Sequence, residues 1–211
     1  MNKINAVIFD MDGVLIDAKE WHYEALNRAL GLFGYSISRI DHRTTFDGLP
    51  TKRKLEILTL ERGLPRGLQA FINDLKQLYT VDLIHRHCKP TFVHEYALSN
   101  LKKAGYRLAV ASNSVRHSVE LMMEKSSLRG YIELLLSNED VNRAKPDPEI
   151  YQIAMRRLGV QPSESLIVED NPIGIQAAQH AGAHVMVVQN VAQVTLVNIR
   201  DHIARAERGA R

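Results

Sequence analysis

A chain of 211 residues, 45% of them hydrophobic, has length for one ordinary domain plus a smaller insert and enough apolar material for a sizeable core. The net charge of +3 is modest, and the single cysteine, Cys88, excludes an internal disulfide framework. No apolar stretch reaches the roughly 18 residues of a membrane span, and the N-terminus lacks the charged start and long apolar region of a secretory signal, so a cytoplasmic location is expected.

The first element is the apolar run Ile4-Asn5-Ala6-Val7-Ile8-Phe9, which reads as a strand with Asp10-Met11-Asp12-Gly13-Val14-Leu15 directly behind it. Residues two apart on an extended backbone point to the same side, so Asp10 and Asp12 aim at one small volume. Such a pair suits phosphoryl transfer: one carboxylate attacks, and the other protonates the leaving oxygen and later takes a proton from water. Two adjacent anions repel each other and repel phosphate, so a divalent metal is implied. The competing reading of this hexapeptide is an acidic turn, since Asp and Gly are ordinary turn residues.

Residues 17 to 88 carry helical rather than strand signals. Trp21, Leu26, Ala29, Leu30 and Phe33 suggest one helical face, Leu55, Leu58 and Leu60 a second helix, and Leu75, Leu78 and Leu83 later ones. Gly31, Gly34, Gly48, Gly63 and Gly67 punctuate the turns.

From there strands and helices alternate. Residues 107 to 112, 132 to 137, 165 to 169 and 184 to 188 read as strands, and those near 92 to 104, 115 to 126, 147 to 159 and 172 to 182 as helices. Short apolar strands separated by helices imply a parallel sheet covered on both faces, with residues 4 to 9 as a central strand. In such sheets the ligand sits beyond the carboxyl ends of the strands. There the sequence places Ser112 and Asn113, whose hydroxyl and amide suit phosphate oxygens, and the consecutive carboxylates Glu169 and Asp170. Lys145 stands just before a Pro-started helix. Taken singly, Ser112 reads equally as a helix N-cap, Lys145 as a surface lysine, and Glu169-Asp170-Asn171-Pro172 as a helix start; their joint occurrence favours a site. The tail arginines Arg200, Arg205, Arg208 and Arg211 have no interleaved aromatics and read as a solvated amphipathic helix with Val194, Val197 and Ile203 toward the core, so no nucleic-acid partner is expected.

Nucleophile, hydroxyl, cation and metal ligands in this order resemble the haloacid dehalogenase superfamily of phosphotransferases, in its beta-phosphoglucomutase-like and phosphoglycolate phosphatase-like branch. The resemblance implies an α/β fold, a Rossmann-like parallel-sheet core over residues 1–16 and 89–211 with an inserted all-helical cap over 17–88. It implies Asp10 as nucleophile, Asp12 as acid/base, Ser112 with the Asn113 amide on the nonbridging oxygens, and Lys145 balancing the anionic charge. Mg2+ would take the Asp10 carboxylate, the Asp12 backbone carbonyl and the Asp170 carboxylate, with Glu169 binding directly or through water. A cis Lys145-Pro146 bond is also suggested by the family, although a proline alone makes it improbable.

Thr45 to Lys54 resembles the glycine-bearing cap loop that faces the active site in this family. Gly48, Thr51, Lys52 and Arg53, together with His22, are therefore the candidates for substrate binding; Asp41, His42 and Arg43 are weaker ones. The expectation is a magnesium-dependent phosphatase acting through an aspartyl-phosphate on a small phosphate ester, a sugar or polyol phosphate. The alternative is a sugar phosphomutase, because Asp17 to His22 looks like the corresponding stretch of beta-phosphoglucomutases, where a histidine participates in catalysis. The loop reads Gly48-Leu49-Pro50-Thr51 where the mutases have Gly-Val-Ser-Arg, which favours hydrolysis. A catalytically silent protein keeping the fold is disfavoured, since every required residue type is present. Neither the oligomeric state nor the physiological substrate is legible.

Overall fold

The computed structural model describes residues 3–209, so Arg211 of the basic tail lies outside the described residues. The chain divides into two compact units, residues 18–88 and residues 1–17 with 89–211.

The first of these is helical. It comprises α1 (Lys19–Gly31), α2 (Arg39–Asp41) with a π-helical turn over His42–Phe46, α3 (Thr51–Arg62) and α4 (Gln69–His87). Its core is built from Leu26, Ala29, Leu30, Ile37, Phe46, Leu55, Leu58, Leu64 and Ile72. Gly63 ends α3 in the left-handed region at φ 70°, a conformation that costs glycine no Cβ clash. Two expected core residues face water instead, Leu60 at 73% exposure and Leu78 at 66%. Leu55 and Leu58 share a face three residues apart, and Leu60 lies about 140° around the helix from Leu55. Leu78 is displaced from the face of Ile72, Leu75, Tyr79 and Leu83 by the same geometry.

Among the described residues the α/β unit holds five strands, β1 (Ala6–Phe9), β2 (Arg107–Ala111), β3 (Leu134–Leu136), β4 (Ser165–Glu169) and β5 (His184–Val187), all parallel in the order β3-β2-β1-β4-β5. Around it run α5 (Phe92–Lys103), α6 (Arg116–Lys125), α7 (Glu149–Leu158), α8 (Pro172–His180) and α9 (Leu196–Glu207). Every residue of β1 and β4 is buried, as a sheet covered on both faces requires. Alternation divides the core: Ala6, Ile8, Ala109, Ala111 and Ile167 join Ile150, Tyr151 and Ala154 of α7 and Ala177 and Ala178 of α8. Helices α5 and α9 contact each other, and reach β2 and β5 respectively.

Helix α7 starts two residues later than its pattern suggests, with Pro148 in the N-cap position, and a residue before proline is disfavoured in the helical region. On α9, Val194 just before the helix and Ile203 are buried as expected, but Val197 is 67% exposed. The inward stripe is Leu196, Ile199 and Ile203, and Val197 lies about 100° away from Leu196. The Lys145-Pro146 bond is cis. No helix among the described residues is long and apolar enough to cross a membrane.

Candidate active site

Sheet register builds the centre of the site. Ile8 is opposite Ala109 on one side and Ile167 on the other. Two residues further on, Asp10 is level with Ala111 and Glu169, and all three share the face that α7 covers. The Asp10 amide donates to the Val168 carbonyl at 3.0 Å and the Ser112 amide to the Leu136 carbonyl at 3.0 Å, so the ladders carry both residues one step past their strands.

A single lysine ties these strand ends together. Lys145 Nζ donates to Asp10 Oδ1 at 2.7 Å, to the Ala111 carbonyl at 2.8 Å and to Glu169 Oε1 at 2.7 Å, which occupies all three ammonium protons. Its approach is set by the Asn113 side chain, whose Oδ1 accepts from the Lys145 backbone amide at 3.2 Å. Asn138 Nδ2 in turn donates to the Asn113 carbonyl at 2.9 Å. Glu169 Oε1 also accepts from the Tyr151 hydroxyl in a short hydrogen bond, and Oε2 accepts from the Asp170 amide at 3.1 Å.

The electrostatics follow from crowding. Burial pushes the Asp10 carboxyl well above its usual range; Lys145 opposes this, and Glu169, Asp12 and Asp170 add to it. Burial works against the Lys145 charge, but the Asp10 and Glu169 carboxylates outweigh it and hold the ammonium group protonated. Burial, with Glu169 and Asp10 adding to it, raises the Tyr151 phenol well above its ordinary value, so it acts as a donor. One lysine is thus surrounded by more carboxylate than it can neutralise.

Asp10, Glu169 and Asp170 bring one carboxylate oxygen each to within 4.8 Å of one another. Hard anionic oxygens around a site of excess negative charge are the donor set of a magnesium-like cation, and these residues fit it. The Asp12 carboxylate is held elsewhere. Its Oδ2 accepts from the Ser114 hydroxyl at 2.7 Å and, at a long 3.4 Å, from Ser112 Oγ, which itself accepts from the Ser114 amide at 3.0 Å. Behind Asp12 the chain reverses at Gly13, with φ 90° and its amide on the Ile16 carbonyl at 2.7 Å. That conformation favours glycine.

The structure therefore brings Asp10, Asp12, Ser112, Asn113, Lys145, Glu169 and Asp170 together at one end of the sheet. Sequence reasoning passed over Ser114, Tyr151, Gly174 and the Ala111 carbonyl. Gly174 carried a signal, since a glycine inside a helix is costly without a reason. A Cβ there would stand 1.9 Å from Glu169 Oε1. Tyr151 carried none, because its spacing marks it as an ordinary core residue.

In the helical unit the candidates are less concentrated. Gly48 adopts φ 75°, and its amide donates to Asp47 Oδ1 at 3.1 Å. Thr51 opens α3 half-buried, while Lys52 and Arg53 are exposed and Arg53 pairs with Glu56 at 3.0 Å. The buried base of this segment is Lys54, which the motif-based reading did not single out. His22 is half-buried, with Nδ1 3.3 Å from Lys76 Nζ. His42 is buried edge-on to Tyr23 at 5.1 Å. Burial, reinforced by Lys54 and His22 against Asp47 and Glu20, lowers its pKa to about 4.

Comparison with known proteins agrees with this geometry. The family described as haloacid dehalogenase-like hydrolase matches residues 7–188, and the chain belongs to that family. It is 30% identical over 182 residues to a phosphorylated carbohydrates phosphatase of Thermotoga maritima, covering 85% of this chain and 82% of that one. Among solved structures it is similar to CbbY from Rhodobacter sphaeroides in complex with phosphate, with a TM-score of 0.78 and 27% identity over 87% of this chain and 85% of that one. It shares its fold with a beta-phosphoglucomutase from Clostridium difficile, with a TM-score of 0.83 and 21% identity over 99% and 100% of the two chains.

Proposed function

We propose that this phosphoric monoester hydrolase releases phosphate from a small phosphorylated metabolite, a sugar or polyol phosphate, in a magnesium-dependent reaction through an aspartyl-phosphate on Asp10. The observation that carries this is the bracing of Asp10 by Lys145, with the Glu169 and Asp170 carboxylates gathered beside it. The relative named for phosphorylated carbohydrates supports the substrate class.

An Asp10 oxygen forms a bond to phosphorus as the bond from phosphorus to the alkoxide oxygen breaks, and Asp12 gives its proton to that oxygen. Water then attacks the aspartyl-phosphate, Asp12 takes the water's proton, and the bond from Asp10 to phosphorus breaks to release phosphate. Asp10, Asp170 and Glu169, with the Asp12 carbonyl, would hold a divalent cation, which would supply positive charge against the negative charge developing on the transferring group. Because all three protons of Lys145 are accepted within the protein, its part is to fix Asp10 and lend charge at short range. The hydroxyl of Ser114 holds the Asp12 carboxyl in place for its two proton transfers. Ser112 and the Asn113 amide are the proposed donors to nonbridging oxygens. For the helical unit, Gly48, Thr51, Lys52, Arg53 and His22 are proposed to recognise the rest of the substrate, and the reaction is placed in the cytoplasm.

The test is phosphate release from a panel of sugar and polyol phosphates, with magnesium and with excess chelator. Release that depends on magnesium, without lag and without added sugar bisphosphate, is the expected result. Isomerised hexose phosphate accumulating much faster than free phosphate would replace hydrolysis with mutase chemistry.

A further inference from the structure

Glu169 is more tightly enclosed than a metal-binding carboxylate needs to be for its charge alone. Its residue is 1% exposed, and three donors converge on it from three parts of the chain. Lys145 Nζ and the Tyr151 hydroxyl both donate to Oε1, and the Asp170 amide donates to Oε2. A fourth side is closed by Gly174, where a Cβ would lie 1.9 Å from Oε1, 2.2 Å from the carboxyl carbon and 2.4 Å from Oε2.

Tyr151 is fully buried in the first turn of α7, among aliphatic side chains of the sheet and of α8. A phenylalanine would fill the same space. The hydroxyl adds a polar group to an apolar cluster, which is costly unless it is satisfied, and Glu169 satisfies it. The ring also lies under the ammonium group, with Lys145 Nζ 4.7 Å from its centroid, so Tyr151 touches both partners of the Lys145–Glu169 ion pair.

Counting lone pairs gives the consequence. A carboxylate oxygen accepts about two hydrogen bonds. Oε1 has both acceptor sites filled by Lys145 and Tyr151, while Oε2 has one filled by the Asp170 amide. The remaining acceptor direction of Glu169 is therefore on Oε2, the oxygen tied to the backbone of the neighbouring cluster member Asp170. Without the phenol, Oε1 regains an open site. The carboxylate can then turn, and Lys145 is less firmly shared between Glu169 and Asp10.

We propose that Tyr151 is a positioning residue: its hydroxyl, with Lys145 and the cradle left by Gly174, locks Glu169 in the one orientation that offers Oε2 to a magnesium ion. The proposal rests on the metal-dependent reading above and adds a residue to it. Hydrogen-bond partners of metal-binding side chains commonly change metal affinity by about 10- to 100-fold when removed.

The experiment is calorimetric titration of the metal-free protein with Mg2+ alone, for wild type, Tyr151→Phe and Ile150→Val. Ile150 is the buried neighbour of Tyr151 on the same helix and has no polar group, so it reports what loosening this packing does by itself. The expected result is magnesium affinity weakened at least tenfold in Tyr151→Phe and within about twofold of wild type in Ile150→Val. Raising Mg2+ to saturation should return the turnover of Tyr151→Phe toward the wild-type value. Equal affinity in wild type and Tyr151→Phe overturns the positioning role and leaves the metal reading standing, as does an equal loss in Ile150→Val, which would mark the effect as packing. Absence of magnesium binding by wild type overturns the metal reading itself, and this proposal with it.

Discussion

The buried lysine at the strand ends of the α/β unit and the exposed ion pairs of the helical unit hold charge by opposite means. In the α/β unit the ammonium group of Lys145 is 4% exposed, and its acceptors are placed by the register of adjacent strands. In the helical unit the pairs Arg28–Asp82, Arg39–Glu20, Arg53–Glu56 and Arg62–Asp41 join side chains that are all about a third exposed or more. Exposed pairs contribute little and are exchanged cheaply, whereas a buried charge cannot lose its partner without a large penalty. The first arrangement suits a reaction step common to many substrates. The second suits contacts that change with the substrate.

The largest effect is expected at the reacting atom. Asp10→Asn keeps the shape of the side chain and removes the proposed nucleophile, so turnover should fall by several powers of ten, more than about 5 kcal/mol of transition-state stabilisation. Its melting temperature should not fall, since the substitution removes a buried charge from a crowd of carboxylates. A folded Asp10→Asn protein with ordinary turnover would end the aspartyl-phosphate mechanism.

Next comes the strap. Lys145→Met keeps much of the volume but leaves Asp10 and Glu169 buried without their shared cation, which should destabilise the metal-free protein by about 3–5 kcal/mol. The sign with pH is fixed by the same argument. Asp10 already has a raised pKa, and losing Lys145 raises it further. Above the unfolded value the folded variant then binds more protons than the unfolded chain, so its stability falls as pH rises. Chemical unfolding in chelator should show the deficit against wild type largest at pH 8 and smaller at pH 5. A deficit that grows toward acid would show that Lys145 does not neutralise these carboxylates.

This contrast also explains what could be read from the sequence. β1 and β4 were legible because they are apolar runs closed by charged residues, and Asp10, Ser112, Glu169 and Asp170 were legible because they stand at the ends of β1, β2 and β4. Tyr151 was not, since nothing in a helical core pattern distinguishes a phenol that reaches a carboxylate from one that does not. The contacts of Lys145 were likewise hidden, because they depend on three strands being level. In the helical unit Lys52 and Arg53 were conspicuous as consecutive bases, yet α3 turns both toward water and buries Lys54. A run of like residues does not reveal which member a helix will bury; the phase of Leu55 and Leu58 does.

His42 tests the helical unit from within. Its pKa of about 4 lies below the unfolded value, so the imidazole is neutral in the folded protein at pH 7. The unfolded chain takes up this proton first as pH falls, so stability is intact above about pH 6.5 and is lost progressively toward pH 4, by at most about 3 kcal/mol. His42→Phe keeps a ring against Tyr23 and should lack this part of the acid loss. Identical pH dependence of the two proteins between pH 7 and 4 would mean that the histidine is solvated.

The smallest effect is expected at Lys52 and Arg53, and it bears most directly on the proposed division of labour between the units. Both side chains are exposed, and Arg53 already has Glu56 as a partner, so truncating either should cost little stability. If they recognise the part of the substrate that does not react, their binding energy is available only to substrates that possess such a part. Binding energy of this kind can appear in rate as well as in affinity. Lys52→Ala and Arg53→Ala should then each lower kcat/KM for the best sugar or polyol phosphate by about fivefold, roughly 1 kcal/mol, and leave a small aryl phosphate nearly unchanged. Asp10→Asn, in contrast, should abolish both activities together. If the two alanine variants lower both substrates by the same factor, these bases act on the phosphoryl step itself, and the separation of chemistry from recognition does not hold at this loop.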